Sequence, residues 1–122
     1  MMSLLLALLS VTATCTPDPA RAGAGPERVR AYIAAINARD EAAIGRFITR
    51  DATYAAPGME PIPLAEVMTG LLETPGAERL DVTEATASGD GVILRTRSAS
   101  GSPASALVRI DGGCIWRFTQ QQ

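Results

Sequence analysis

The spacing of apolar residues predicts three helices in the first part of the chain. The first covers about residues 27–37, where apolar residues recur at every third or fourth position. The second covers about 40–48, with Asp40 as its N-cap, and the third covers about 63–73. Their inward side chains are predicted to be those of Val29, Tyr32, Ile33, Ile36, Ala43, Ile44, Phe47, Leu64, Val67, Met68, Leu71 and Leu72.

From about residue 79 onward the apolar pattern changes to the two-residue period of β-strands. Asp111-Gly112 is a hairpin turn signal between the last two strands. A run of helices followed by a run of antiparallel strands indicates an α+β fold. Alternation predicts three inward-facing sets, which are Val92, Leu94 and Thr96, then Ala106, Val108 and Ile110, and finally Cys114, Trp116 and Phe118.

Composition narrows the classes of function. The chain has 122 residues, which suits one domain, and its formal net charge is −2. This charge offers no basic field for nucleic acid, so no nucleic-acid partner is expected. Histidine is absent, which removes the commonest metal ligand and the usual general base at neutral pH. Because phosphate-loop and dinucleotide motifs are also absent from the sequence, we expect no metal and no cofactor.

The first 15 residues have the pattern of an export signal. Leu4 to Val11 is an apolar run too short to span a bilayer as a helix, and small and polar residues follow it. Cys15 lies where a bacterial lipoprotein is cleaved and acylated, although the first residues have no positive charge. The expected location is the periplasm, or the membrane through a lipid at Cys15. Simple cleavage before Thr16 is an equal alternative, and a cytoplasmic chain with a wrongly assigned start is a further one.

The next segment predicts a domain boundary. Residues 16–25 are rich in proline, glycine and alanine, which is typical of a flexible tether before a domain at 26–122. In an oxidising compartment Cys15 and Cys114 could form a disulfide, which acylation of Cys15 would exclude. The strand pattern around Cys114 favours instead a small buried hydrophobic residue.

Two stretches carry a family resemblance. A tyrosine lies in A-Y-I-A-A-I-N, and a second helix then leads to F-I-T-R-D-A-T. These stretches resemble the nuclear transport factor 2-like superfamily, which includes SnoaL-like cyclases and ketosteroid isomerases. The resemblance covers residues 26 to the C-terminus and implies a cone-shaped barrel of helices packed in a curved antiparallel sheet. Its fold hosts many chemistries, so the resemblance alone assigns no reaction.

The resemblance also shows which catalytic groups this chain lacks. Ketosteroid isomerases use an aspartate base, with a tyrosine and a protonated aspartate as the oxyanion hole. Tyr32 matches the tyrosine, while Ala56 and Ala106 match the positions of the two aspartates. Since neither alanine can transfer a proton, isomerase activity is not expected. Tyr32 is the best single catalytic candidate, although a core tyrosine is the favoured interpretation.

The same match predicts the lining of an apolar pocket. The favoured function is a non-catalytic module that binds a small apolar ligand or a protein partner. The alternative is an isomerase, cyclase or hydrolase that uses Tyr32 and an acid not yet identified. A structural homodimer through the sheet face is the third hypothesis. The pocket is expected to include Tyr32, Phe47, Tyr54, Met68, Ala56, Ala106, Trp116 and Phe118.

Overall fold

The computed structural model describes residues 10–121, which contain three α-helices and one six-stranded sheet. The helices are α1 (Gly25–Asn37), α2 (Glu41–Gly45) and α3 (Leu64–Glu73), and a short 3-10 helix covers Pro19–Arg21. The strands are β1 (Ile48–Ala55), β2 (Ile62–Pro63), β3 (Leu80–Ser88), β4 (Gly91–Ser98), β5 (Pro103–Asp111) and β6 (Cys114–Gln121). The α+β prediction is confirmed.

The helices follow local signals in the sequence. Asp40 caps α2 as predicted, because its Oδ1 accepts a hydrogen bond from the backbone N–H of Ala43 at 3.1 Å. The predicted second helix was too long, since α2 ends at Gly45 and β1 begins at Ile48. Glycine is a poor helix former, and the β-branched residues that follow Phe47 favour a strand.

The sheet is mixed and does not close into a barrel. Its strand order is β2-β1-β6-β5-β4-β3, and β1 runs parallel to β6 while the other neighbours are antiparallel. The antiparallel sheet predicted from about residue 79 onward is confirmed for β3 to β6, and β1 adds one parallel pair to it. After β1 the chain passes through α3 and the three strands β3, β4 and β5, and β6 then lies beside β1 in the same direction.

The predicted faces of β4 and β5 are confirmed, and on β6 Cys114 is buried and Phe118 faces the core as predicted, whereas Trp116 does not. Val92, Leu94, Ala106 and Val108 are all buried in the core. On β6, the pairing register shifts so that Ile110 lies opposite Ile115 while Arg109 lies opposite Arg117. The extra residue between these pairs is Trp116, and such a bulge shifts the alternation of side chains.

Trp116 is therefore not an inward-facing pocket residue. Ile115 is fully buried in its place, whereas Trp116 is half-buried beside the exposed Arg117. The Arg117 guanidinium lies 5.9 Å from the Trp116 ring centroid. Trp116 lines a surface depression with Thr49, Asp51 and other residues of β1.

An asparagine fixes the end of α1 to the sheet. The Asn37 side-chain amide donates to the Leu80 carbonyl at 2.7 Å, and its Oδ1 accepts from the Leu80 N–H at 2.9 Å. Both polar functions of this side chain are thus used by β3. The two bonds hold α1 against the concave face of the sheet, where Val29, Tyr32, Ile33 and Ile36 are buried.

Residues before α1 contact the domain at several points. Val11 is buried, and the N–H groups of Thr14 and Cys15 donate to the carbonyls of Gly45 (2.8 Å) and Ile48 (3.0 Å). A Cβ on Gly45 would meet the Thr12 carbonyl oxygen, so this close approach requires a glycine. The segment predicted as a flexible tether also contains the 3-10 helix, which Asp18 caps.

Cys15 and Cys114 are joined in a disulfide across 99 positions of sequence. The preference for Cys114 as an isolated hydrophobic residue was therefore wrong, although its side chain is buried as expected. A disulfide-bonded Cys15 has no thiol for a lipid, so the two proposed uses of Cys15 exclude one another. Much of the predicted export signal, Leu4 to Leu9, lies outside the described residues, and the leader stays a prediction. Within residues 10–121, no helix is long and apolar enough to cross a membrane.

Candidate functional site

Tyr32 lies in the centre of the core. Its side chain is fully buried, and its hydroxyl donates a hydrogen bond to the sulfur of Met68 at 3.1 Å. Burial raises the pKa of Tyr32, because the phenolate would lose its hydration there. A thioether is only a weak acceptor, and it cannot take a proton at neutral pH. The contacts of Tyr32 are therefore those of a core tyrosine.

Two aromatic rings pack against Tyr32, and a third stacks on one of them. The ring of Phe47 meets Tyr32 edge-on at 6.1 Å, and Phe118 lies 6.4 Å from Tyr32 on another side. Tyr54 stacks on Phe118 at 5.9 Å with an interplanar angle of 18°. Such edge and offset contacts are favourable arrangements of aromatic rings. They fill the space that a ligand of Tyr32 would need.

The burial of Tyr32 predicts an alkaline loss of stability. Unfolding frees the phenol to ionise near its ordinary pKa of about 10, whereas the folded protein keeps it neutral. The unfolded state then binds fewer protons, so the free energy of unfolding falls as pH rises above about 10, by up to about 1.4 kcal/mol per pH unit. Denaturant melts of wild type and Tyr32→Phe between pH 8 and 11 measure this, and equal pH profiles would contradict it.

A cavity of about 190 Å³ opens between α1 and the concave face of the sheet. Its walls come from α1, from β3, and from the inward faces of β4, β5 and β6. No ionisable side chain lies among its lining residues. These are Ile33, Leu80, Leu94, Thr96, Ala104, Ser105, Ala106, Phe118 and Gln120.

The polar groups at this cavity are weakly bonded within the protein. The Tyr54 hydroxyl donates to Gln120 Oε1, and Gln120 Nε2 donates to the Ser105 carbonyl, both at 3.5 Å. These lengths exceed the usual range for such bonds, which ends near about 3.2 Å for N–H···O. The Gln120 amide can therefore turn towards a ligand at little cost. Sequence reasoning missed Gln120 and Ser105, because only the paired register of β5 and β6 brings them together.

The structure brings most of the predicted pocket residues together, but in different roles. Tyr32, Met68 and Ala106 are core residues, and Tyr54 and Phe118 form the stacked pair beside the cavity. Phe47 is half-buried and packs against Tyr32 on its inner side. The Arg28 guanidinium lies 4.5 Å from the centroid of the Phe47 ring. Ala56 follows the end of β1, and its carbonyl accepts from the Met59 N–H in a turn.

The outer face of the sheet has arginines in ion pairs. Arg95 lies 3.0 Å from Glu84, and Arg109 lies 2.7 Å from Asp90. These exposed pairs balance the charge of the face locally and contribute little to stability. The pairing favours a solvated sheet face over an anion-binding patch there.

Comparisons with solved structures show the same fold. The proposed ketosteroid isomerase from Kribbella flavida has a TM-score of 0.72 at 21% identity, over 83% of this chain and 78% of that one. A nuclear transport factor 2-like protein of unknown function from Cytophaga hutchinsonii has a TM-score of 0.63 at 19% identity, over 77% and 85%. An epoxide hydrolase from M. tuberculosis has a TM-score of 0.66 at 17% identity, over 78% and 79%.

At these identities the likeness concerns the fold alone. A comparison with curated proteins gave no match. The model of the SnoaL-like domain, in contrast, matches residues 29–122. This range contains the whole sheet and all three helices, apart from the first turn of α1. The chain therefore belongs to the SnoaL-like domain family, within the nuclear transport factor 2-like superfamily.

Proposed function

We propose that this protein is an exported, non-catalytic SnoaL-like domain that binds a small apolar molecule in the cavity beside Phe118. The observation that carries the proposal is the lining of that cavity. It combines apolar walls with the hydroxyl of Thr96 and the amide of Gln120, and has no ionisable group. Ligand sites in proteins commonly join apolar walls to a few polar groups that orient the ligand.

The volume limits the part of a ligand that the cavity can enclose. An apolar cavity of about 150 Å³ accepts a benzene molecule, so about 190 Å³ has room for a single substituted ring. A steroid nucleus has four fused rings and exceeds this space. The proposed ligand is therefore a monocyclic or short aliphatic molecule with one hydroxyl or carbonyl. That polar group would pair with the Gln120 amide, whose internal bonds are long.

The absence of an acid at the site argues against the enzymatic alternative. The fold neighbours include a proposed isomerase and an epoxide hydrolase, and both reactions need groups that transfer protons. Among the described residues, Tyr32 bonds to a sulfur rather than to a carboxylate. The disulfide supports the exported part of the proposal, because such bonds persist in oxidising compartments. It requires an exported chain that keeps Cys15 unacylated, and cleavage before Thr16 would remove this residue.

Binding of a monocyclic phenol tests the proposal. We expect 4-methylphenol to bind the oxidised protein with a saturable heat signal and to raise its melting temperature, since ligand binding stabilises the folded state. Ala104→Phe should abolish the signal by placing a ring in the cavity from its exposed rim. The matched control is Ala87→Phe, an exposed alanine of β3 outside this lining.

The outcomes separate the hypotheses. Saturable binding that Ala104→Phe removes and Ala87→Phe retains supports the ligand-binding module. Equal weak binding to all three proteins would show only partition onto surfaces and would overturn the proposal. No binding, together with a dimer mass in solution, would favour the structural homodimer through the sheet face instead.

A further inference from the structure

We propose that the pocket beside the disulfide is a binding site for a small dianion of the phosphate type. This pocket of about 660 Å³ lies on the side of α1 away from the apolar cavity. Its walls include the guanidinium-bearing residues Arg21, Arg28 and Arg46, and no aspartate or glutamate lies among its lining residues. The site is independent of the function proposed above.

The three arginines come from three separate segments. Arg21 ends the 3-10 helix, Arg28 lies in the first half of α1, and Arg46 follows α2. The disulfide ties the first segment to the start of β6, and the N–H groups of residues 14 and 15 donate to Gly45 of α2 and Ile48 of β1. The convergence is thus a consequence of the tertiary structure and not of a run of charges in the sequence.

The protein itself uses only part of their bonding capacity. Arg28 Nε donates to the Gly113 carbonyl at 2.9 Å, while its Cζ lies over the Phe47 ring, 4.5 Å from the centroid. Arg21 donates to the Thr16 carbonyl and lies 3.7 Å from the half-exposed Asp18, yet its buried Nε has no acceptor. Among residues 10–121, Arg46 makes no ion pair shorter than 4.0 Å.

The charge in the pocket contrasts with that on the sheet. There, Arg95 and Arg109 each have a carboxylate within 3.0 Å. In the pocket, burial lowers the pKa of Arg28, and repulsion by the neighbouring Arg21 cation lowers it further. A bound anion would relieve this repulsion, and guanidinium groups match the oxygens of phosphate in pairs of hydrogen bonds.

Titration with inorganic phosphate tests the site. The readout is the change in amide chemical shifts of the oxidised, isotope-labelled protein at constant ionic strength. We expect saturable shifts at Arg28 and its neighbours, with acetate binding more weakly because it has one charge instead of two. Arg46→Gln should weaken phosphate binding about fivefold, which is the loss of one partly exposed ion pair.

Arg50→Gln is the matched control, because Arg50 is also exposed and unpaired within the described residues but lies outside the pocket. It removes the same charge and should leave phosphate binding unchanged. Equal weakening by the two substitutions would mean that phosphate binding depends only on the net charge of the protein, and would overturn the proposal. Shifts that do not saturate, or acetate binding as tight as phosphate binding, would overturn it as well.

Discussion

Breaking the Cys15–Cys114 disulfide should lower the free energy of unfolding by about 2–5 kcal/mol. The bond closes a loop of 99 residues, and a loop of that size restricts the unfolded chain strongly, by about 4.7 kcal/mol in the chain-entropy treatment. Its loss also frees the segment that carries Val11, which is buried in the folded protein. Denaturant melts with and without a thiol reductant measure the difference.

The double variant Cys15→Ala/Cys114→Ala is the control for this experiment. It should be less stable than the oxidised wild type by a similar amount, and the reductant should not change its unfolding. Equal stability of oxidised and reduced wild type would contradict the prediction. Mass spectrometry of protein from its native host then distinguishes the Cys15–Cys114 disulfide from acylation of Cys15. The disulfide lowers the mass by two hydrogens, and a lipid adds the mass of its acyl chains.

Truncation of Tyr32 should be the most damaging single change in the core. Tyr32→Ala removes a fully buried ring that touches Phe47, Phe118 and Met68, and such changes cost about 3–5 kcal/mol. Tyr54→Ala is the matched comparison, because Tyr54 is only half-buried and should cost less. Urea unfolding of the variants gives both values.

Tyr32→Phe separates the structural role of this residue from a catalytic one. It keeps the ring and loses one hydrogen bond to a sulfur, so stability should change by about 1 kcal/mol or less. The wild type should show no isomerisation of a 3-oxo-Δ5-steroid, because among the described residues the partner of the Tyr32 hydroxyl is a sulfur and not a carboxylate. Turnover in the wild type that Tyr32→Phe abolishes would contradict this and restore the enzyme hypothesis.

Local patterns along the chain were enough to predict most of the elements. The apolar stripe through Tyr32 and Ile36 marks α1, and the Asp40 cap marks the start of α2. The alternation of β4 and β5 correctly assigned their buried faces. These features depend on residues a few positions apart, and the period of the side chains follows directly from helix and strand geometry.

Features that depend on distant pairs did not follow from the pattern. The β1–β6 pair is parallel because of the path of the chain, which strand periodicity does not encode. One extra residue at Trp116 places Ile115 instead of Trp116 in the core, since a bulge shifts the alternation of side chains along the strand. The partner of Cys15 is 99 positions away, and two cysteines alone cannot show whether they pair.

The candidate sites also combine features that the local sequence predicts with features that only the tertiary structure decides. Tyr32, Ala56 and Ala106 could be matched to a family from their neighbours in the chain, and that match already argued against an isomerase. Whether Tyr32 faces a cavity depends on the packing of Phe47, Met68 and Phe118 around it, and the three-dimensional arrangement fills that space. The same arrangement places Gln120 at the small cavity and gathers three arginines at the disulfide, because folding joins segments that no sequence spacing relates.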